Sequence, residues 1–167
     1  MVQIYTGNGK GKTTAAIGLA IRTLGRGNKV CLIQLMKNAA FGEILFLKNF
    51  SNIDIFQFGT KEFVNLKTPT KTDFEEAEKA FQKTKDAINS KKYDLIIIDE
   101  INVAVSWKLL PVEKQLELME LTTNAEIVMT GRHASKEVLA KADLVTEMKE
   151  IKHYFAKGIP ARKGIEF

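Results

Sequence analysis

Six short apolar runs, separated by helical spans, restrict the fold more than any other feature of this sequence. They are VQIYT (Val2 to Thr6), VCLIQL (Val30 to Leu35), IDIFQF (Ile53 to Phe58), DLIIIDE (Asp94 to Glu100), EIVMTG (Glu126 to Gly131) and DLVTEM (Asp143 to Met148). Runs that are apolar almost throughout, rather than alternating with polar residues, mark strands covered on both faces. That pattern belongs to parallel sheets layered between helices. The spans between them carry helical signals. One runs from about Thr13 to Leu24 and stops at Gly25 and Gly27. A short apolar helix is expected in GEILFLKNF, and Thr72 with Glu75 reads as a T-x-x-E capping box. Behind that box, Phe74, Ala77, Phe81, Thr84 and Ile88 fall on one helical face. Further helical segments run through Trp107 to a break at Pro111, from Val112 to Leu121, and near Ser135 to Ala142. The tail from Lys149 has little helical or strand character. The expected fold is α/β, a mostly parallel six-stranded sheet flanked by helices, in one domain over residues 1–167.

Ligands in such folds bind at the carboxyl ends of the strands. The chemistry-bearing residues collect there. After the first strand comes TGNGKGKTT (Thr6 to Thr14), close to the phosphate-loop pattern G-x-x-x-x-G-K-[ST] except that Thr6 stands where the pattern has glycine. A glycine-rich turn entering a helix offers backbone N–H groups and a positive dipole end to an anion. Lys12 would neutralise phosphate oxygens, and the Thr13 hydroxyl would ligate Mg²⁺. Asp99 and Glu100 close the most hydrophobic strand, a placement suited to a hydrated Mg²⁺. Arg132, just after the fifth strand, could clamp phosphate or form a structural ion pair. His133 reads as a surface residue, and with His153 as the only other histidine, no histidine metal site is expected.

Composition narrows the remaining classes. The formal net charge is +5, from 25 Lys and Arg against 20 Asp and Glu. A bound triphosphate accounts for such an excess as well as nucleic acid does, and no basic tract interleaved with aromatics is present, so nucleic acid is disfavoured. The single cysteine, Cys31, lies inside an apolar strand, which excludes a disulfide framework and a cysteine zinc site. No apolar run approaches the roughly 20 residues of a membrane span. Met1 leads almost directly into a strand rather than a signal peptide, so a cytoplasmic location is expected.

Four segments together resemble one family: TGNGKGKTTAAIGLAIRTLGRG, DEINVA, TGRHASKEVLAKADLVTEM and IKHYFAKGIPARKGIEF. They are similar to the single-domain ATP:corrinoid adenosyltransferases, and they cover nearly the whole chain in the family's order. The resemblance implies a P-loop NTPase (RecA-like) architecture. Its activity is adenosylation of cobalt(I) in a corrinoid by ATP, with release of triphosphate. It implies that Gly7, Asn8, Gly9, Lys10, Gly11, Lys12, Thr13 and Thr14 hold the triphosphate, in an orientation reversed from the usual one. Arg22, Arg132 and Phe63 join the substrate-binding set; Thr13, Glu100 and Asp99 serve Mg²⁺; Lys12 and Glu100 are the catalytic candidates. Family members displace the lower axial ligand of the corrinoid with aromatic side chains, for which Phe58, Phe63 and Trp107 are the candidates. His153 matches the family's C-terminal K-H. A flavoprotein reductant and a homodimer are implied as partners. Two departures fall on the corrinoid side: Asn38 replaces a usual glycine in KNAAFGE, and the chain starts at its first strand without an N-terminal extension. The competing readings are a nucleoside kinase of the thymidine-kinase type, which commonly adds a cysteine-rich zinc lobe, and a regulatory NTPase module.

Overall fold

The computed structural model describes residues 1–60 and 68–167. Its sheet has six parallel strands: β1 (Val2–Thr6), β2 (Val30–Leu35), β3 (Ile53–Phe58), β4 (Leu95–Asp99), β5 (Glu126–Thr130) and β6 (Leu144–Glu147). They lie in the order β3-β2-β4-β5-β1-β6. Each apolar run of the sequence is one of these strands. The helices are α1 (Lys12–Leu24), α2 (Gly42–Leu47), α3 (Lys71–Ser90), α4 (Ile101–Ser106), α5 (Val112–Glu120) and α6 (Lys136–Lys141).

Alternation along the strands divides the core in two. Cys31, Ile33, Leu35, Ile96, Ile98, Ile127 and Met129 face α3, α4, α5 and α6, meeting Ala80, Phe81, Ile88 and Leu118 there. Val30, Leu32, Leu95, Ile97 and Val128 face the other way, onto Ala16, Ile17 and Ala20 of α1 and Ile44 and Leu47 of α2. Successive side chains of a strand point to opposite faces, so a run apolar at every position fills both layers. Within this core Cys31 is buried and free, its thiol pushed up to about 12, chiefly by burial.

The start of α3 differs from the sequence expectation. Thr70, not Thr72, caps the helix: its hydroxyl accepts from the Asp73 N–H, and the Asp73 carboxylate accepts from the Thr70 N–H at 2.7 Å. The sequence holds two overlapping T-x-x-acid frames, and tertiary packing selects the earlier one. Asp73 is then buried with Ala77, Phe81, Thr84 and Ile88, while Phe74 turns outward at 44% exposure. The tail departs as well, since Tyr154–Lys157 forms a 3-10 turn.

The topology sets the site. β5 separates the loop-bearing β1 from β4, which ends in Asp99. The carboxyl ends of three adjacent strands therefore present the glycine loop, Thr130 and Asp99 side by side.

Candidate active site

Gly7 to Gly11 turn between β1 and α1, and the turn is fixed from outside by the chain leaving β6. The Gly9 N–H donates to the Met148 carbonyl at 2.7 Å, and the Met148 N–H donates to the Thr6 carbonyl at 2.8 Å. Gly7 has φ +97°, and a Cβ there would stand 2.4 Å from the Met148 oxygen. One at Gly9 would stand 2.8 Å from the carbonyls of Met148 and Lys149. Both glycines are therefore required by the approach of β6, quite apart from any anion. Lys12, buried in the first turn of α1, folds back so that Nζ donates to the Gly9 carbonyl at 2.6 Å. Burial, aided by Arg132, holds its ammonium below the usual lysine range.

Asp99 is the hub of the site. It is fully buried, and four donors surround its carboxylate. Thr13 Oγ1 (2.8 Å) and Thr130 Oγ1 (2.6 Å) donate to Oδ1; Lys37 Nζ (2.7 Å) and Gln34 Nε2 (3.1 Å) donate to Oδ2. Burial alone would raise its pKa, but Lys37 and the two hydroxyls outweigh it and hold the group ionised, below its usual range. The same balance keeps Lys37 protonated: burial opposes the charge and Asp99 overrides it. A carboxylate offers about four lone-pair positions, and here all are occupied. Asp99 thus orients its neighbours rather than presenting an oxygen to the cleft.

Glu100 does the opposite. It adopts a left-handed backbone, φ +68°, with its N–H donating to Thr130 Oγ1 at 3.0 Å. Its carboxylate accepts no hydrogen bond among the described residues and lines the cleft. Burial, and then the neighbouring Asp99, push it above the normal glutamate range. Left-handed non-glycine residues cost about 1–3 kcal/mol and concentrate at functional sites. Met36 at the end of β2, φ +56°, is another, immediately before Lys37.

The cleft has two lobes that share part of their walls. One of about 320 Å³ is lined by Gly9, Lys10, Gly11, Lys12, Arg132 and His153. The other, about 450 Å³, is lined by Ile17, Lys37, Phe41, Glu43 and the tail residues Gly164 to Phe167. Thr13, Thr14, Glu100, Ile165 and Glu166 border both. Two oxygens bordering both lobes could hold a Mg²⁺: the Thr13 hydroxyl, whose proton is committed to Asp99, and the Glu100 carboxylate, unbonded among the described residues. Hard cations of this kind take one or two such oxygens plus phosphate and water.

Not every expected residue joins this group. Asn8 lies on the far side of the loop, lining a separate hollow with Thr6, His133 and Glu147. Arg22 is exposed in the last turn of α1, roughly 15 Å along the helix from Lys12, and borders neither lobe. Phe58 and Trp107 pack half-buried against the α3-side core, and Phe63 lies outside the described residues. Asn38 donates to the Gly59 carbonyl at 3.2 Å. His133 is exposed, as expected. His153 accepts from the Phe155 N–H, capping the 3-10 turn while forming part of the smaller lobe's wall.

The sequence assigns no role to Lys37 or Gln34, and although Thr130 falls at a strand end and the tail matches the family's, it does not announce the contacts they make. The C-terminal segment folds over the loop: Lys10 Nζ donates to Glu166 Oε1 (2.8 Å), the Ile165 carbonyl (2.8 Å) and the Tyr154 hydroxyl (3.2 Å). Arg162 bonds Glu166 and lies 4.8 Å from the centre of the Tyr154 ring. Gln34, a polar interruption in an otherwise apolar strand, was the one available signal for the hub.

The family described as ATP:corrinoid adenosyltransferase BtuR/CobO/CobP matches residues 1–167. A corrinoid adenosyltransferase from Sinorhizobium sp is 34% identical over 171 residues, covering 100% of this chain and 80% of the relative. One from Pseudomonas aeruginosa is 33% identical over 166 residues, covering 98% and 82%. One from Escherichia coli K12 is 31% identical over 169 residues, covering 100% and 85%.

Proposed function

The chain belongs to the ATP:corrinoid adenosyltransferase family, its reaction is transfer of the adenosyl group of ATP to a corrinoid, and we propose how its residues divide that work. The smaller lobe takes the triphosphate on the loop amides, with Lys10, Lys12 and Arg132 supplying positive charge. Thr13 and Glu100 hold Mg²⁺, which when bound neutralises phosphate charge. Asp99 stands behind them, fixing the Thr13 hydroxyl. The observation that carries this division is the contrast at the end of β4: Asp99 has every acceptor position filled, while the Glu100 carboxylate, unbonded among the described residues, borders both lobes.

The chemistry asks little acid or base work of the protein. Cobalt(I) donates an electron pair to the ribose C5′, the C5′–O5′ bond breaks, and its electrons leave on the triphosphate as cobalt becomes cobalt(III). No proton moves. The protein's contribution is alignment, which can supply roughly 7–11 kcal/mol in favourable cases, and stabilisation of charge on the departing group. Glu100 therefore serves as a metal ligand and not as a base for water.

A homodimer, a flavoprotein reductant and a cytoplasmic setting complete the proposal. The first two rest on family resemblance. The third rests on the single buried, free cysteine and on the lack, among the described residues, of any helix long and apolar enough to cross a membrane. The test is anaerobic incubation of the protein with Mg-ATP and chemically reduced cobalamin. The expected result is inorganic triphosphate together with a light-sensitive alkylcobalt spectrum. Release of ADP without change at cobalt would establish a kinase or NTPase instead.

A further inference from the structure

We propose that Lys37 is the cation that meets the charge leaving C5′, with Asp99 as its positioning residue. The inference rests on the adenosyl-transfer reading above. Among the described residues, the larger lobe is bordered by the side-chain carboxylates of Glu43, Glu100 and Glu166 and by one cationic side chain, Lys37. The remaining cations of the cleft, Lys10, Lys12 and Arg132, line the smaller lobe with the loop. A triphosphate held there leaves the roomier lobe, with Ile17 and Phe41 in its wall, to the nucleoside. The C5′–O5′ bond joins the two parts, so it lies at the junction, and the ammonium on the nucleoside side of that junction is Lys37.

Its setting suits the task. Asp99 Oδ2, 2.7 Å away, is its single hydrogen-bond partner among the described residues, and the side chain is 21% exposed. An ammonium has three donors, so two remain for a ligand. Because Asp99 is itself fixed by Thr13, Thr130 and Gln34, the ammonium is held in place before substrate arrives. In the reaction the Co–C5′ bond forms, the C5′–O5′ bond breaks, and the bonding pair becomes a charge on an α-phosphoryl oxygen. A donor aligned in advance with that oxygen lowers the barrier without reorganising.

The test compares two substrates in the full-length protein with reduced cobalamin: ATP, and its analogue with sulfur bridging C5′ and the α-phosphorus. Sulfur leaves with less need of external charge. Lys37→Met is expected to lower kcat with ATP by about 10²–10³-fold, the effect of removing one such donor. KM for ATP is expected to change far less, and the loss is expected to shrink by about tenfold or more with the sulfur analogue. An equal loss with both substrates, or a change confined to KM, overturns the proposal. If Lys37→Met does not fold, Lys37→Arg serves. It keeps the charge but moves the donors, and an equal loss with both substrates there also overturns it. Absence of alkylcobalt product from the unaltered protein would instead overturn the underlying reading of function.

Discussion

Replacing Asp99 with asparagine is expected to destabilise the ligand-free protein far more than one lost hydrogen bond would. The carboxylate is fully buried and ringed by four donors, one of them an ammonium at 2.7 Å. An asparagine can satisfy one pair of donors with its carbonyl, but its NH₂ then confronts the other pair. Lys37, half-buried, is left without its counter-charge. Removing one partner of a buried ion pair costs about 3–5 kcal/mol, against a total stability of roughly 5–15 kcal/mol. For a chain of this size that is a fall in Tm of about 6–20 °C. Lys37→Met alone leaves a fully buried carboxylate that keeps three neutral donors but no counter-charge, and is expected to cost about 3–5 kcal/mol as well. The double variant, lacking both charges, is expected to lose about 1–3 kcal/mol less than the sum of the single losses. Urea unfolding of all four proteins without nucleotide, followed by circular dichroism with m-values compared, measures the cycle. The pH dependence carries a sign. Asp99 has a depressed pKa, so its contribution is complete above the ordinary aspartate range and is lost only as pH falls through the depressed value. Strictly additive costs, or an Asp99→Asn variant within about 1 kcal/mol of the unaltered protein, would refute the ion-pair account.

Glu100→Gln is expected to act in the opposite sense. Its raised pKa means that the folded state binds more protons than the unfolded one, so the group's contribution falls as pH rises through that value. The glutamine variant is expected to be the more stable at neutral pH without ligand, to lose that advantage in acid, and to be inactive; equal melting temperatures at neutral pH would contradict this. Gly7→Ala must accept φ +97° and move a Cβ away from a backbone oxygen at 2.4 Å. Strain and forced displacement together predict a loss of about 2–6 kcal/mol, and an unchanged melting curve would show that the loop is not clamped by β6. Glu166→Gln removes the counter-charge of Lys10 while leaving its bonds to the Ile165 carbonyl and the Tyr154 hydroxyl. Inorganic triphosphate is expected to bind about two- to five-fold tighter at low salt, with the difference closing near 1 M salt; an affinity unchanged at low salt removes the tail from the phosphate site.

How much of this was visible in the residues depends on the range of the forces involved. The six strands and their layering were legible because unbroken apolar runs have one low-energy solution, burial on both faces. The glycine loop and the Asp99-Glu100 pair were legible because their positions follow from the ends of those strands. The frame of the α3 cap was not. Two T-x-x-acid frames compete locally, and only packing of Phe81 and Ile88 against the sheet decides between them. Lys37 carries no signal of its own until the pairing of β2 with β4 places Asp99 beside it. The tail was opaque for a similar reason: Lys10 and Glu166 meet across 156 residues with no periodicity to announce it. The different duties of Asp99 and Glu100 were also hidden, since adjacent carboxylates look alike until hydrogen-bond partners are counted.

Thr6, the residue that breaks the phosphate-loop pattern, shows what the mismatch accomplishes. It remains in β1, paired with Glu147 of β6, and the first positive φ of the loop comes one residue later, at Gly7. Its hydroxyl, buried with the side chain, accepts from the Ala134 N–H at 3.3 Å. That ties the loop to the segment carrying Arg132, while Met148 ties it to the exit of β6. A glycine at this position would have no hydroxyl to make the first tie. The loop is thus clamped from both neighbouring strand ends, and its cradle is set before any nucleotide arrives. An enzyme that hydrolyses the γ-phosphate must also place a water and a base. One that expels the whole triphosphate needs a rigid cradle and a fixed cation at the leaving oxygen, and Thr6, Met148, Asp99 and Lys37 build those two things.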